Sequence, residues 1–472
     1  MTDPAEYIAN GKIIIDSDPQ GAQIFINGDY TGKVTPDSIL LLESGLYRTK
    51  LRLNPYLDIE DSITVDETGL TLIFKSFFED LRNYGKIVCL SEPTGVELFI
   101  NDSSTGQSSP HTFDLLWPGY YKVVCTYPDY RDQKILLFIH GGESKTICFT
   151  PQDTSQCVDY NPSNSDFPSF NTTCVAIDND NFKWIGLPGT GLVKYNEVSV
   201  TKYNMHNSEI PSNYVNCITI DNRDRIWVGT QRGILIIDEN KNWTIYTPDN
   251  SDMPNDFIND IKIDSKGIAW IAAADPIGGR YLLKFDGTSW NSYECPPERL
   301  IICLAIDNLE RLWVGLDQGL RIFENEEWTF PDGYYSAQYM VRKYATESIA
   351  LDIDGRMWMG FGNPGNGRGD LFYYDGAAFN LFELPEKTVS HIYMSESGNK
   401  WISCLGKTPT FDIDPLRPIL IKIDANDNII PFSMESTKMT SGLLRWSTAQ
   451  SNGDLWIASR DKGLIKFKGA NL

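Results

Sequence analysis

The sequence predicts an all-β protein, because two kinds of internal repeat account for nearly the whole chain of 472 residues. The first kind is a unit of short alternating apolar and polar runs that begins at Gly11 and returns at Gly85, an offset of 74 residues. The second is a Trp-centred unit that occurs seven times at intervals of 43 to 55 residues. These observations predict two small β-sandwich domains in tandem, followed by a seven-bladed β-propeller.

The two copies of the shorter repeat keep one register throughout. The matched pairs include Gly11 and Gly85, Pro19 and Pro93, Gly21 and Gly95, Asn27 and Asn101, and Tyr47 and Tyr121. Apolar residues alternate with polar ones between turn residues, which is typical of small antiparallel sheets with one buried face. We therefore predict a flexible tail over residues 1–10, one β-sandwich over residues 11–79 and a second over residues 80–152.

This repeat resembles the PEGA domain, a small β-sandwich module named for a Pro-x-Gly-Ala motif. The motif reads Pro19-Gln20-Gly21-Ala22 in the first copy, whereas the second copy has Val96 in place of the alanine. The resemblance implies adhesion or scaffolding at the bacterial cell surface, without catalysis. The matched glycines and prolines are themselves interpreted as turn residues.

Seven tryptophans organise residues 153–472. They are Trp184, Trp227, Trp270, Trp313, Trp358, Trp401 and Trp456. Each lies in a run that predicts an inner strand, a tight turn, the Trp strand, a Gly turn and two further strands, which is the order of a propeller blade. In the first five copies an Asp stands six residues before the Trp, where an Asp side chain stabilises a turn by binding its own backbone. Ser395 and Gln450 take its place in the last two copies.

The blade motif resembles the two-component-regulator propeller repeat. The clearest copy reads Trp227-Val228-Gly229-Thr230, followed by a Gly-Ile pair. In that family such propellers are often the extracytoplasmic sensing part of hybrid kinases that respond to polysaccharides. This sequence has neither a transmembrane helix nor a kinase segment, so the resemblance implies only the fold and a bias towards binding a ligand or partner.

The two ends of the propeller segment are predicted to share one blade. The last blade is one strand short, whereas residues 158–168 align without gaps with residues 244–254, the outer strand and following loop of blade two. We expect residues 157–161 to supply the missing outer strand, because closure of this kind leaves no sheet edge exposed.

Charge and composition exclude several classes of function. The formal net charge is −22, so we expect neither a nucleic-acid partner nor attraction to an anionic membrane. No apolar run has the length of a membrane span, and we expect no membrane insertion by the chain itself. The sequence contains no CxxC or HExxH motif among its 9 Cys and 4 His, so we expect no metal site and no cofactor. The cysteines are predicted to be buried and reduced. The string over residues 178–181 is interpreted as a turn rather than a calcium loop.

Two sets of polar residues on the top face, where the inner strands begin, are candidates for binding. The first set is predicted to line the mouth of the central channel and consists of Asp260, Glu347, His391, Arg445 and Trp446. The second set lies in the enlarged loops of blades three, five and six (residues 273–280, 362–369 and 405–418) and consists of Arg280, Arg368, Lys407 and Arg417. These cations on an acidic protein favour an anionic partner surface or an acidic sugar.

The sequence favours a noncatalytic bacterial cell-envelope binding or scaffold protein whose propeller top face binds a protein partner or a polysaccharide. An alternative is a carbohydrate or lactone lyase or hydrolase, because an Asp, a Glu and a His together are suited to general acid–base catalysis. No nucleophile or metal motif accompanies them, and we expect no catalytic residue. A further alternative is a sensory component of a signalling system.

Both resemblances imply an extracytoplasmic location, in the periplasm or at the cell surface. The first residues lack the basic and apolar regions of a secretory signal. A mature exported form, with a leader or lipid anchor upstream of the given sequence, is one interpretation, and a cytoplasmic protein is the other.

Overall fold

The computed structural model describes residues 11–66, 69–274, 280–296, 299–334, 339–363, 368–385, 389–404 and 415–468, without the side chains at positions 41, 339, 340, 363, 368 and 369. The predicted tail over residues 1–10 lies outside this part of the chain. The fold is nearly all β, as predicted, and divides into two compact units, Met1–Thr154 and Ser155–Leu472. No helix in the described ranges has both the length and the apolar character that crossing a membrane requires.

The first β-sandwich is built from two sheets whose inner faces alternate with solvent-facing positions. Its strands are β1 (Gly11–Asp18), β2 (Gln23–Ile26), β3 (Asp29–Val34), β4 (Asp37–Leu42), β5 (Gly45–Arg52), β6 (Ile59–Val65) and β7 (Leu70–Ser76). One sheet has the order β4-β1-β7, with β1 and β7 parallel, and the other has the order β3-β2-β5-β6. Ile13 and Ile15 of β1 lie in the core with Ile24 and Leu51 of the facing sheet.

The second β-sandwich repeats this arrangement after a 3-10 turn over Leu81–Asn83. Its strands are β8 (Gly85–Ser91), β9 (Glu97–Ile100), β10 (Ser103–Ser108), β11 (His111–Leu116), β12 (Gly119–Thr126), β13 (Gln133–Ile139) and β14 (Ser144–Phe149). The strand orders β11-β8-β14 and β10-β9-β12-β13 match those of the first sandwich. Ala22 and Val96 are both fully buried, so the larger side chain in the second motif is accommodated in the core. The offset of 74 residues therefore relates equivalent positions in two similar sandwiches.

A buried amide joins the two sandwiches into one unit. The Asn83 side chain accepts a hydrogen bond from the Leu57 backbone N–H (2.6 Å) and donates one to the Phe77 carbonyl (2.9 Å). A Cβ atom at Gly141 of the second sandwich would lie 2.7 Å from the Asn83 Oδ1. The glycine is required here because any side chain would push the two sandwiches apart.

The second unit begins with an isolated outer strand, β15 (Cys157–Tyr160), and continues with blades of four consecutive antiparallel strands. Blade one is β16 (Val175–Ile177), β17 (Lys183–Leu187), β18 (Gly191–Tyr195) and β19 (Val200–Tyr203). Blade two is β20 (Val215–Ile220), β21 (Ile226–Thr230), β22 (Gly233–Ile237) and β23 (Trp243–Tyr246). Blade three is β24 (Phe257–Ile263), β25 (Ala269–Ala274), β26 (Arg280–Phe285) and β27 (Trp290–Glu294).

The next three blades follow the same order, with one short helix between the fourth and the fifth. Blade four is β28 (Ile301–Ile306), β29 (Leu312–Leu316), β30 (Leu320–Glu324) and β31 (Glu327–Thr329), followed by α1 (Tyr339–Lys343). Blade five is β32 (Ala345–Leu351), β33 (Met357–Asn363), β34 (Arg368–Tyr374) and β35 (Phe379–Phe382). Blade six is β36 (Val389–Met394), β37 (Lys400–Cys404), β38 (Pro418–Ile423) and β39 (Ile429–Ser433), followed by α2 (Met434–Thr437).

The last blade combines both ends of the unit. Its three C-terminal strands are β40 (Leu444–Ala449), β41 (Leu455–Ser459) and β42 (Leu464–Phe467), and β15 pairs antiparallel with β42. Residues 157–160 thus occupy the position predicted for the missing outer strand. The buried Thr172 hydroxyl accepts a hydrogen bond from the Ser459 backbone N–H (2.7 Å) at the start of blade one. Seven four-stranded sheets are therefore present in the described residues of this unit, and their inner strands contact one another in sequence around an axis.

A polar link holds the first turn of each of the first five blades to its Trp strand. In blade four, for example, Asp307 accepts hydrogen bonds from the Arg311 backbone N–H (3.0 Å) and from the indole Nε1–H of Trp313 (2.9 Å). Burial opposes the charged carboxylate, but these bonds outweigh it, and the pKa of Asp307 is lowered. Gln450 makes the equivalent bond to Trp456 in the last blade (3.0 Å). The turn role of the Asp is confirmed, and the indole bond is a second role that the sequence analysis missed.

Candidate binding site

A cavity of about 500 Å³ lies between the inner strands, and all seven inner strands contribute described residues to its wall. Four of the predicted channel residues, Asp260, Glu347, His391 and Trp446, line it. Arg445 does not line the cavity, although it precedes Trp446 in the same strand. The rest of the wall is mostly aliphatic, so the few polar groups decide what the cavity can bind.

Six of the inner strands in the described part carry a β-bulge at the same place, close to their first residue. The residues at the bulges are Asn216, Asn259, Ile302, Glu347, Ser390 and Arg445. A bulge re-aims the side chain of the extra residue. Asn216 and Asn259 each donate a side-chain hydrogen bond to a carbonyl of the next blade (2.8 Å), and Ser390 does the same (2.9 Å). In these three strands the residue at the bulge joins neighbouring blades.

The residue after the bulge also links blades, here as an acceptor. The bonds run from the Leu304 N–H to Asp260 (2.8 Å), from the Ile392 N–H to the Ser348 hydroxyl (3.1 Å) and from the Ser447 N–H to His391 Nδ1 (3.2 Å). Each joins one blade to the next in the ring. Two of the residues proposed for a binding or catalytic site, Asp260 and His391, therefore have structural roles.

His391 is held as a neutral imidazole. Because its Nδ1 accepts the Ser447 N–H, the ring proton lies on Nε2. Burial, reinforced by the positive charge of Lys262, lowers the pKa of His391 to about 3. The ring also stacks on Trp446, with 4.3 Å between ring centroids. With this pKa the imidazole is uncharged near neutral pH and has no proton of an imidazolium to donate. Its one ring lone pair already accepts the Ser447 N–H, so the group is poorly suited to general acid–base catalysis.

We expect the His391 imidazole to stay in the neutral Nε2–H form from pH 8 to below pH 5. Since its folded pKa of about 3 lies below the ordinary value of 6.5, its contribution to stability is complete above pH 6.5 and is lost as the pH falls towards 3. Heteronuclear NMR of the imidazole nitrogens measures this, with the exposed His206 as a reference signal in the same spectrum. A titration midpoint between pH 6 and 7 for His391 contradicts the assignment.

Lys262 is a channel residue that the sequence analysis missed. Its ammonium group lies 3.0 and 3.2 Å from the two carboxylate oxygens of Asp260 and 5.8 Å from the ring centre of Trp446. Burial disfavours the charged form, but the Asp260 charge and hydrogen bond outweigh it and the pKa of Lys262 is raised. The two-residue strand period places Asp260 and Lys262 on one face, which was a usable signal. The pair neutralises the charge on this side of the cavity.

The Glu347 side chain, unlike those of Asn216, Asn259 and Ser390, makes no hydrogen bond to the next blade within the described residues. Among the described residues no hydrogen bond or ion pair reaches its carboxyl group. Burial raises the pKa of Glu347, so this carboxyl group holds its proton more readily than usual. A Cβ atom at Gly362 would lie 2.9 Å from the Glu347 Cγ, so the glycine makes room for this side chain. Glu347 is thus a carboxyl group in the cavity wall that is available to a ligand.

Arg445 is a second polar bulge residue whose side chain makes no hydrogen bond to the next blade within the described residues. Burial, together with the nearby positive charge of Arg460, lowers the pKa of its guanidinium group. Arg460 is exposed and follows β41, with its backbone N–H bonded to the Leu443 carbonyl (3.1 Å). Neither guanidinium group has a hydrogen-bond or ion-pair partner within the described ranges. Two like charges without a counter-ion among the described residues thus lie at the top face, where the inner strand of the last blade begins.

The predicted rim cations are only partly described. Arg280 is the first residue of β26, and Arg417 lies directly before β38. Arg368 begins β34, but its side chain lies outside the described part, as does the whole of Lys407. Their joint contribution to a binding rim stays a prediction.

Two of the predicted loops are shorter than expected. In blade five the strands extend until Asn363 pairs with Arg368, and in blade three Ala274 pairs with Arg280. The strands therefore take up residues 273, 274 and 280 of the loop predicted in blade three and residues 362, 363, 368 and 369 of the loop predicted in blade five. The other residues of these two predicted loops lie outside the described part of the chain.

The described residues contain no group of three or more His, Cys, Asp and Glu side chains placed to hold a metal ion. In the string over residues 178–181, Asp178 bonds to the Phe182 N–H (2.8 Å) and to the Trp184 indole (2.9 Å), as a turn residue does. All nine cysteines are free thiols and eight are buried. Burial raises the pKa of Cys217 and Cys303 well above the usual value, which makes these thiols unreactive.

Comparisons with known proteins agree with the two-part architecture. The sequence model of the PEGA domain matches residues 10–77, and that of the two component regulator propeller matches residues 209–232. A comparison with curated proteins finds no match. Virginiamycin B lyase from Staphylococcus aureus aligns with 66% of this chain and 98% of its own length, at 14% identity and a TM-score of 0.51.

A streptogramin B lyase structure aligns with 66% of this chain and 96% of its own length, at 13% identity and a TM-score of 0.50. At such low identity, the likeness to either lyase concerns the fold alone. The first sandwich is therefore similar to PEGA domains, and the second unit is a β-propeller with a two-component-regulator repeat in blade two.

Proposed function

We propose that this protein is a noncatalytic bacterial cell-envelope binding protein whose propeller top face binds an acidic polysaccharide at the mouth of the channel. The observation that carries the proposal is the pair of guanidinium groups, Arg445 and Arg460, which lack partners among the described residues of a chain with a net charge of −22. A guanidinium group binds a carboxylate or sulfate group through two parallel hydrogen bonds. An acidic sugar carries such a carboxylate or sulfate group and is small enough to enter the channel mouth.

Binding is favoured over catalysis because the groups that catalysis requires are already engaged. Asp260 is bonded to Leu304 and Lys262, and the His391 lone pair is bonded to Ser447. Only Glu347 remains, and one carboxyl group does not supply both an acid and a base. The likeness to lyases is a likeness of fold and gives no support to lyase activity.

A sugar is favoured over a protein partner because of the size and lining of the cavity. About 500 Å³ admits a small part of a ligand, such as one or two sugar rings, but not a folded protein surface. Trp446 offers an aromatic ring at the wall, and the Glu347 carboxyl group can bond to hydroxyl groups. A protein partner would instead engage the outer rim, where Arg280 and Arg417 lie.

We further propose that the second sandwich is also a PEGA domain and that all seven blades are of the two-component-regulator type. The matching strand orders and the buried Val96 support the first statement. The bulge that recurs in six inner strands supports the second. An extracytoplasmic location, in the periplasm or at the cell surface, follows from the PEGA resemblance.

Arg445→Gln is expected to weaken the binding of an oligouronate or a sulfated oligosaccharide at least tenfold, since the substitution removes one charged donor pair. Isothermal titration calorimetry with acidic and matched neutral oligosaccharides measures this effect. Arg223→Gln, at an exposed Arg in the first turn of blade two, is the control and should leave the affinity unchanged. Equal losses in both variants, or binding of acidic peptides but of no sugar, contradict the proposal.

A further inference from the structure

The first sandwich exposes an apolar face on the sheet β4-β1-β7. On the edge strand β7, Leu70, Leu72 and Phe74 point to the same side and are 58%, 69% and 63% exposed. Leu40 of β4 is 56% exposed, and Ile14 of β1 lies directly beside Leu72. Contiguous exposed apolar side chains are typical of a surface that binds a partner, whereas apolar residues elsewhere on a protein surface are usually scattered singly. We call this set of five residues the apolar face.

The second sandwich shows that the fold does not require this apolar face. Because β14 pairs with β8 in the register with which β7 pairs with β1, the offset of 74 residues identifies the equivalent positions. Asp114 replaces Leu40, Ser144 replaces Leu70, Thr146 replaces Leu72 and Cys148 replaces Phe74. Only Leu90, at the position of Asp16, changes in the opposite direction. The same sandwich therefore forms with small or polar residues where the first copy keeps large apolar ones.

Two charges are placed symmetrically about the centre of the apolar face. Lys12 lies beside Leu70 and Asp16 lies beside Phe74, each two residues from Ile14 on the solvent side of β1. The Lys12 ammonium group has no ion-pair partner among the described residues. A twofold axis through the Ile14 position would set Lys12 of one copy opposite Asp16 of the other. The charges are thus self-complementary, as a twofold interface requires.

We propose that the first sandwich is a dimerisation module, in which two copies of this chain pack their apolar faces together about this twofold axis. Packing of sheet against sheet removes the three exposed β7 side chains from water, which supplies the driving force. The two Lys12–Asp16 pairs fix the antiparallel orientation and disfavour other partners. This inference does not depend on the ligand proposed for the propeller.

The first test replaces the three β7 side chains of the apolar face with small polar ones, which follow the second repeat at positions 70 and 72 and use Ser instead of the Cys of the second repeat at position 74. Sedimentation equilibrium of the full chain should show a dimer, and the triple variant Leu70→Ser, Leu72→Thr, Phe74→Ser should weaken it at least 100-fold. The substituted side chains are exposed, so the circular dichroism spectrum and the melting temperature should be little changed. Leu136→Thr, at a 72%-exposed position of the second sandwich, is the control and should leave the dimer intact.

The second test distinguishes a second copy from any other occupant of the apolar face. Lys12→Asp and Asp16→Lys should each weaken the dimer about tenfold or more, because each change creates two like-charge contacts. Mixing the two single variants, or combining both changes in one chain, should restore the association. A wild-type chain that remains monomeric at its highest soluble concentration overturns the proposal. Failure of the mixture to associate better than either variant alone also overturns it.

Discussion

Asp260→Ala is expected to lower the free energy of unfolding of the propeller by about 3–5 kcal/mol, the largest effect at any channel position. The substitution leaves the buried Leu304 N–H without an acceptor and the Lys262 ammonium group without its counter-ion. Asp260→Asn retains an acceptor but loses the charge, so its loss should be roughly half as large. Urea unfolding at pH 7 measures both changes.

Ser348→Ala is the matched control for Asp260→Ala. It removes the acceptor for the Ile392 N–H at the same position of blade five, without leaving an unpaired charge. We expect a loss of about 1–2 kcal/mol for this variant. The structural role is contradicted if Asp260→Ala has the free energy of unfolding of the wild type but loses a catalytic activity that the wild type shows. Asp260 would then be a catalytic residue.

Gly229→Ala is expected to destabilise the propeller by about 3 kcal/mol. An added Cβ atom would lie 2.4 Å from the Cys217 Sγ and 2.6 Å from the Ile258 Cγ2, and both neighbours are fully buried. The Cys217 thiol occupies the space that the missing side chain leaves free. Combining Gly229→Ala with Cys217→Ala should therefore recover part of the loss, which a double-mutant cycle measures.

Blade three supplies the control for Gly229→Ala. Ala272 occupies the equivalent position there and pairs with Asp260, whose carboxylate accepts a hydrogen bond from the next blade. Ala272→Gly should cost only about 1 kcal/mol, from the greater freedom of the unfolded chain. Equal stability of the wild type and Gly229→Ala would show that the contact with Cys217 is relaxed without cost.

The architecture was predictable because both repeats carry their period in the sequence. The offset that pairs Gly11 with Gly85 predicted that one small β-sandwich occurs twice, and the Trp spacing located the second strand of each blade. The alignment of residues 158–168 with the outer strand of blade two located the strand that joins β42. Each of these inferences needed only the position of a residue within a repeat.

The candidate site was less predictable, because hydrogen-bond partners lie about 42 to 56 residues away along the chain. Nothing in the sequence around Asp260 or His391 shows that each side chain will accept a hydrogen bond from a backbone N–H of the next blade. The bulge before these residues is also hidden, since an extra residue in a strand leaves the local composition unchanged. Lys262 was missed although the two-residue strand period places it on the same face as Asp260. Arg460 was missed because its nearness to Arg445 depends on the pairing of β40 with β41.

The apolar face escaped sequence analysis because its pattern is ambiguous. Leu70, Leu72 and Phe74 alternate with Thr71 and Ile73, and alternation alone does not say which set faces the core. Only the register of β7 against β1 shows that Ile73, beside the buried Ile15, points inwards. The comparison with the second repeat is informative only once this is known, because Leu70, Leu72 and Phe74 and their counterparts in the second sandwich are then all known to be exposed.

In the proposed function, the channel mouth binds an anionic sugar and leaves it chemically intact. The most direct test incubates the full protein with the tightest-binding acidic oligosaccharide and follows the ligand by mass spectrometry over many hours, with Arg445→Gln in parallel. The wild type should retain the ligand, the variant should lose it, and the recovered ligand should have an unchanged mass. A cleaved or eliminated product whose formation stops in Glu347→Gln would contradict the proposed function.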